Sequence, residues 1–354
     1  MRDPIEARAD ESEDLYDVAE WEPRTALDKL AMGIYGTGVF LLRLTVILAR
    51  VGLYLLGVVI LFYLMAAGYG AIIINNPFVL GLIVLSVIPA GLLALYVYRT
   101  DVTTREPGTL LMVTYILAIL FAGFAGIING MLGIIQGFGL IGFLLFYYLV
   151  VGPVEEFVKL LAVRIYAYRD DRFDSVIDGA VYGAVAGLGF ASIENLLYIT
   201  RNLPGSSAML TSMTADFAAQ FFEAVNAGGQ ITAARSLAGP GHVIYSAFAG
   251  YYLGLAKFNR EHAVPIVIKG LLIAAFIHAT YNSLVSFVPP LVKEAVPGVP
   301  FIVVLFGFVV VYVGFFLYIL YRKLQRYSRK YRQVNADIEG AADIDSELTE
   351  FDAD

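Results

Sequence analysis

Apolar residues run along this chain in blocks of about twenty, and short polar stretches separate them. A helix rises about 1.5 Å per residue and the hydrocarbon core of a bilayer is about 30 Å thick, so each block is long enough to cross a membrane. The blocks fall near residues 51–73, 77–98, 108–129, 137–168, 176–200, 239–257, 264–288 and 299–321, which predicts an all-α polytopic bundle of about eight transmembrane helices. A stretch near 30–48, with Lys29, Arg43 and Arg50 among apolar residues, predicts an interfacial amphipathic helix or a longer first helix. The connection 201–238 is too polar to span twice and predicts an amphipathic helix or lid at the outer surface, ahead of a span that starts at the turn-rich "AGPG" before His242.

Composition places these blocks in lipid. Of 354 residues, 59% are hydrophobic and 16% charged, against about a quarter charged in a soluble domain. The chain reads as a multi-pass protein of the cell membrane. It has no cysteine, which excludes disulfides, thiolate metal sites and cysteine nucleophiles. The first residues lack a basic, then apolar, signal-peptide pattern, so the first span is expected to direct insertion. Net charge is −7, but residues 1–22 hold nine acids and residues 333–354 hold eight, leaving 14 acids and 22 bases between them. Such acid-rich ends predict a disordered tail over 1–28 and, after a basic juxtamembrane stretch, another within 326–354. The membrane domain is expected at 29–325. Bases cluster in alternate loops (Arg99 and Arg105; Arg169 and Arg172; Lys257 and Arg260; Arg322 to Arg332), which puts both termini in the cytoplasm. Arg201, Arg235 and Lys293 dissent from that pattern.

Inside the spans sits a set of residues that lipid does not tolerate cheaply. An ionisable group at mid-bilayer costs roughly 2.5–3.5 kcal/mol on insertion scales and faces a partner or a wet cavity. The set is Glu155, Glu156 and Lys159 in "VGPVEEFVKLLAV", Glu194 and Asn195 in "GFASIENLLY", His242 in "GPGHVIYSAF", and His278 and Asn282 in "IHATYNSL". Gly152 and Pro153 are expected to break the fourth span, putting both glutamates in the first turn of the restarted helix, where the dipole favours carboxylates. Lys159 is then i+4 and i+3 from the two acids, and can pair with one while the other stays free. Glycines 179, 183 and 187, each four apart, predict close helix packing. Two chemistries use such a set. One is hydrolysis, with a carboxylate as base and imidazole and carboxylate groups holding zinc or polarising a carbonyl. The other is ion-coupled transport, in which Glu and His relay protons and bind ions. A scaffold with a dry polar cluster is a third reading.

The ordered series EEFVK (155–159), Phe190 with Glu194 and Asn195, His242, and His278 with Asn282 resembles the PrsW family of intramembrane proteases, relatives of the prenyl-protein endopeptidases; the motif-bearing core covers residues 108–288. The resemblance implies an intramembrane endopeptidase that cuts a membrane-anchored protein, such as an anti-sigma-factor-like regulator, by site-1-type cleavage. It carries functional roles to Glu155, Glu156, Lys159, Phe190, Glu194, His242, His278 and Asn282. In the prenyl-protein relatives the second motif ends in His, where this chain has Glu194. The expected division is Glu155 or Glu156 activating water, Glu194, His242 and His278 holding a divalent metal, expected to be zinc, or polarising the carbonyl in a metal-free glutamate mechanism, and Asn282 assisting the oxyanion. The expected partners are the bilayer and the protein substrate, and not nucleic acid.

Overall fold

The computed structural model describes residues 3–5, 7–10, 12–66, 77–103, 105–202 and 217–351. Nine α-helices account for most of them: α1 (Ala26–Ala66), α2 (Pro77–Arg99), α3 (Gly108–Leu132), α4 (Gly139–Leu145), α5 (Gly152–Ile165), α6 (Val176–Asn202), α7 (Phe217–Phe258), α8 (Ala263–Ala295) and α9 (Phe301–Phe351). Among the described residues the only β pairing is an isolated bridge between Tyr16 and Glu20. Among the described residues five stretches are long and apolar enough to cross a membrane: Pro77–Arg99, Gly108–Ile165, Val176–Asn202, Arg260–Ala295 and Phe301–Ala336. The second folds back on itself through the 3₁₀ turn Gly133–Phe138, so that Asn129 near the end of α3 meets Glu155 near the start of α5.

Helices α6 and α7 form the centre. Of the most apolar window of α6, 83% is buried, against 17% for the peripheral α9. The two central helices run antiparallel along a seam of small residues. A Cβ on Gly179 would collide with the Gly250 carbonyl, one on Gly183 with that of Ser246, and one on Gly187 with that of His242. Only hydrogen at these positions lets the backbones touch. Gly152 does the same between α5 and α8, where a Cβ would sit 2.6 Å from the Ala275 carbonyl oxygen. These contacts bring α5, α6, α7 and α8 together at the height of the polar residues.

Residues 30–48 take the longer-first-helix form: they and the start of the first span are one continuous helix, α1, and the end of that span, past Ala66, lies outside the described residues. Other expectations need correction. His242 does not follow a turn. Pro240 sits inside α7, which runs unbroken from Phe217 to Phe258, so residues 217–238 of the 201–238 connection are the first half of the same helix; residues 201–202 end α6, and 203–216 lie outside the described ones. The second half of α7 is buried almost continuously from Gly241 to Ala256, and a helix walled by protein needs little hydropathy of its own. Gly152 and Pro153 do not break the fourth span either. A π-helical turn, Phe146–Val151, precedes them, with the Gly152 N–H donating to the Tyr147 carbonyl. Proline has no N–H, and the wider turn absorbs the mismatch without ending the helix.

The acid-rich N-terminal segment is not a loose tail. Ile5, Leu15, Val18, Ala19 and Trp21 are buried in the core, Trp21 against the ring of His262 at 5.3 Å. Asp17 pairs with Lys323 at 2.6 Å and Lys269 at 3.3 Å, and Asp28 with Lys269 at 2.7 Å. The surplus of bases in the body, read from composition, is what this strap neutralises, and apolar residues set among the acids let it dock. The C-terminal boundary expected at 325/326 is likewise unmarked, because the backbone of α9 continues to Phe351.

Candidate active site

Four helices deliver one connected set of side chains. Glu155, Glu156 and Lys159 come from the first two turns of α5, Phe190 and Glu194 from α6, His242 from α7 and His278 from α8. Glu155, Glu156, Lys159, His242 and His278 are all buried. Glu156 is the hub. Its Oε1 accepts from Lys159 Nζ at 2.7 Å and from His278 Nδ1 at 2.8 Å, and its Oε2 from the Ser246 hydroxyl at 3.3 Å. Lys159 also reaches His242 Nδ1 at 2.9 Å and stands 4.2 Å from the centre of the Phe190 ring. The opposite nitrogen, His242 Nε2, donates to Glu194 Oε2 at 2.9 Å, a carboxylate held in turn by Arg235 at 2.6 Å.

Both imidazoles are therefore oriented by a carboxylate, His278 by Glu156 and His242 by Glu194, the arrangement that fixes the tautomer of metal-binding histidines. Glu155 differs from its neighbour. Its Oε1 accepts from Asn129 at 3.0 Å, but its Oε2 is buried without a hydrogen-bond partner, 3.7 Å from His278 Nε2 and 3.9 Å from Lys159 Nζ. An unsatisfied buried carboxylate oxygen is costly unless something is meant to meet it.

Glu155, His242 and His278 each turn a ligand atom to within 4.8 Å of the others. A tetrahedral zinc ion with bonds of about 2.1 Å needs ligand atoms about 3.4 Å apart, so a small closure suffices. The donor set, one carboxylate and two imidazoles, suits a divalent ion of the zinc type. Charge agrees with chemistry, since three carboxyl groups (Glu155, Glu156, Glu194) face two fixed cations (Lys159, Arg235). The trio that geometry selects differs from the expected Glu194, His242 and His278. Glu194 is engaged by Arg235 and backs His242, and Glu155 faces the ion's place.

Two other expected residues stand outside the hub. Asn195 turns away from it, donating to Ser86 at 3.1–3.2 Å and accepting from Arg235 Nε at 2.8 Å, so it aims the guanidinium at Glu194. Asn282 is half-buried one turn beyond His278, and among the described residues its side chain makes no hydrogen bond to the cluster. Arg235, Asn129 and Ser246 were not singled out from sequence. Arg235 did leave a trace, as a base that dissents from the charge pattern of the loops.

A family model described as "PrsW family intramembrane metalloprotease" matches residues 106–315. The "Protease PrsW" of Geobacillus kaustophilus is 31% identical over 130 residues, 36% of this chain and 47% of the relative. That of Bacillus subtilis is 27% identical over 137 residues, 38% of this chain and 51% of the relative. That of Clostridioides difficile is 24% identical over 209 residues, 57% of this chain and 78% of the relative. The chain spans about half the length of the first curated relatives it matches. No solved structure matches it significantly.

Proposed function

The chain belongs to the PrsW family of intramembrane metalloproteases, and on that premise we propose that it is itself an endopeptidase cutting membrane-anchored proteins, with Glu155, His242 and His278 holding a divalent ion, expected to be zinc. One observation carries the reading: the buried, unpartnered Oε2 of Glu155 facing two histidines that are each backed by a carboxylate. Bound there, the ion would supply a water of lowered pKa and a polarised carbonyl.

The chain's own residues do the rest. Asn129 holds Glu155 Oε1 and leaves Oε2 to the place of the ion, so the proton of the attacking water goes to Glu156 Oε2, beside the Ser246 hydroxyl, and is then available to the departing amine. Glu156 orients His278 and Glu194 orients His242, whose Nδ1 passes from the Lys159 ammonium to the ion when one binds. Lys159 offsets the negative charge gathered on α5. Asn282 is free to donate to the carbonyl of an incoming peptide. A substrate helix must unwind locally to present that carbonyl, because an intact helix keeps it hydrogen-bonded. The substrate class is a single-span protein cut near its outer end, of the anti-sigma-factor type. An eight-span count, read from the apolar blocks, and cytoplasmic termini, read from the basic loops, belong to the same proposal. An ion-coupled transporter using the same cluster is not favoured by the family match.

In proteoliposomes containing a single-span reporter, Glu155→Gln is expected to lower the cleavage rate by about 10²–10⁴-fold. Insertion and thermal stability should stay as in the parent. Cleavage at the parent rate by this variant would remove Glu155 from the mechanism.

A further inference from the structure

A second group of acids lies at the other end of α6. Asp178 is 16 residues before Glu194, about 24 Å along the helix at 1.5 Å per residue, so it is separate from the histidine cluster. Asp101 and Glu106 reach it from the connection between α2 and α3, and one carboxylate oxygen from each of the three lies within 4.8 Å of the others. Asp178 and Glu106 are 0% and 4% exposed.

Helix capping explains part of this. Asp178 Oδ2 accepts the N–H groups of Asp174 at 2.7 Å and Ser175 at 2.9 Å at the start of α6. It does not explain why two more carboxylates are driven against the cap. Glu106 Oε2 accepts from the Tyr182 hydroxyl, but Glu106 Oε1 is buried with no hydrogen-bond partner. Asp101 Oδ1 takes the N–H and hydroxyl of Thr103, at 2.9 and 2.7 Å, while its Oδ2 is likewise unpartnered. Among the described residues no lysine or arginine forms an ion pair with any of the three. Lys257 donates instead to the Asp170 carbonyl at 3.0 Å. The Thr103 hydroxyl sits between the acids, 3.4 Å from Asp178 Oδ1 and 3.3 Å from the Ser175 hydroxyl.

We propose that Asp101, Glu106 and Asp178, with the Thr103 hydroxyl, form a structural site for a hard divalent cation of the calcium and magnesium class, which ties the α2–α3 connection to the start of α6. The donors are all oxygen, which suits these ions and not zinc. Two unpartnered buried oxygens give the ion something to satisfy, and its charge removes the mutual repulsion of three acids. The site braces the helix that carries the glycine seam and Glu194.

The test uses the full chain in detergent after chelator treatment. Calcium or magnesium alone should raise the melting temperature saturably, by roughly 5 °C at about a hundredfold excess over the dissociation constant. The shift should persist in His278→Ala, which lacks a ligand of the other cluster. Glu106→Gln keeps the shape and removes one repelling charge, so it should fold, melt higher than the ion-free parent and gain nothing from either cation. Terbium, a calcium stand-in, should give tyrosine-sensitised emission through Tyr182 that calcium displaces and Glu106→Gln abolishes. A melting temperature indifferent to both cations, or equal terbium emission from parent and Glu106→Gln, would overturn the assignment.

Discussion

Arg235 holds Glu194 and Glu194 holds His242, so on the proposed mechanism a guanidinium outside the metal site orients one of its imidazoles. Arg235→Ala should reduce reporter cleavage by about 10–100-fold, as expected for loss of a group that orients a ligand. Arg235→Lys should restore only part of this, because one ammonium cannot bond Asn195 and Glu194 with the fork that Nε and Nη2 provide. Parent-level turnover in Arg235→Ala would show that Glu194 needs no support. Lys159→Met leaves Glu156 buried without its cation, and should destabilise the chain by about 3–5 kcal/mol in denaturant unfolding. At this scale the membership of the cluster was legible wherever an ionisable group interrupts an apolar block, as with Glu155, Glu156, Lys159, Glu194, His242 and His278. Asn129 was silent because a neutral amide near the end of a span carries little cost, and Arg235 showed only as a base that dissents from the loop-charge pattern, with nothing to tie it to Glu194.

Helices bring those residues together only because their backbones touch. Gly183→Leu should push α6 and α7 apart at Ser246, lowering both melting temperature and cleavage, whereas the same change at Gly307, with open space around it, should do neither. A Gly183→Leu protein with the parent's melting temperature would show that the seam yields more readily than a packed interface should. The spacing of glycines 179, 183 and 187 announced this seam, since small residues four apart lie on one helix face. Proline was the less reliable marker. Pro153 and Pro240 both read as helix boundaries, and both lie within continuous helical paths, one relieved by a π turn and the other flanked by Gly239 and Gly241 in a tightly packed helix. Local proline chemistry gives the cost of continuing a helix, and neighbouring helices decide whether it is met.

For the molecule as a whole, the described residues of the acidic N-terminal strap pack against the end of α7, the start of α8 and the middle of α9. Burial alone would raise the Asp28 carboxyl, but the Lys269 ammonium, the Tyr16 hydroxyl and the Thr25 N–H outweigh it and hold it well below the ordinary 3.8. A depressed carboxyl contributes stability that is present above its unfolded value and lost as pH falls toward the folded one. Melting temperature should therefore drop as pH falls below about 4, and Asp28→Asn should start lower at neutral pH and drop less. An identical pH profile in that variant would detach Asp28 from the strap. Composition alone counted the acids but missed that Leu15, Val18 and Trp21 are spaced to dock them.

The central claim is that α5, α7 and α8 together hold one metal ion. Zinc bound per chain, measured after chelation, reloading and desalting, tests it most directly. The expected result is one zinc per chain in the parent and in Glu106→Gln, and none in His278→Ala of comparable melting temperature. Equal zinc content in His278→Ala and the parent would contradict the account.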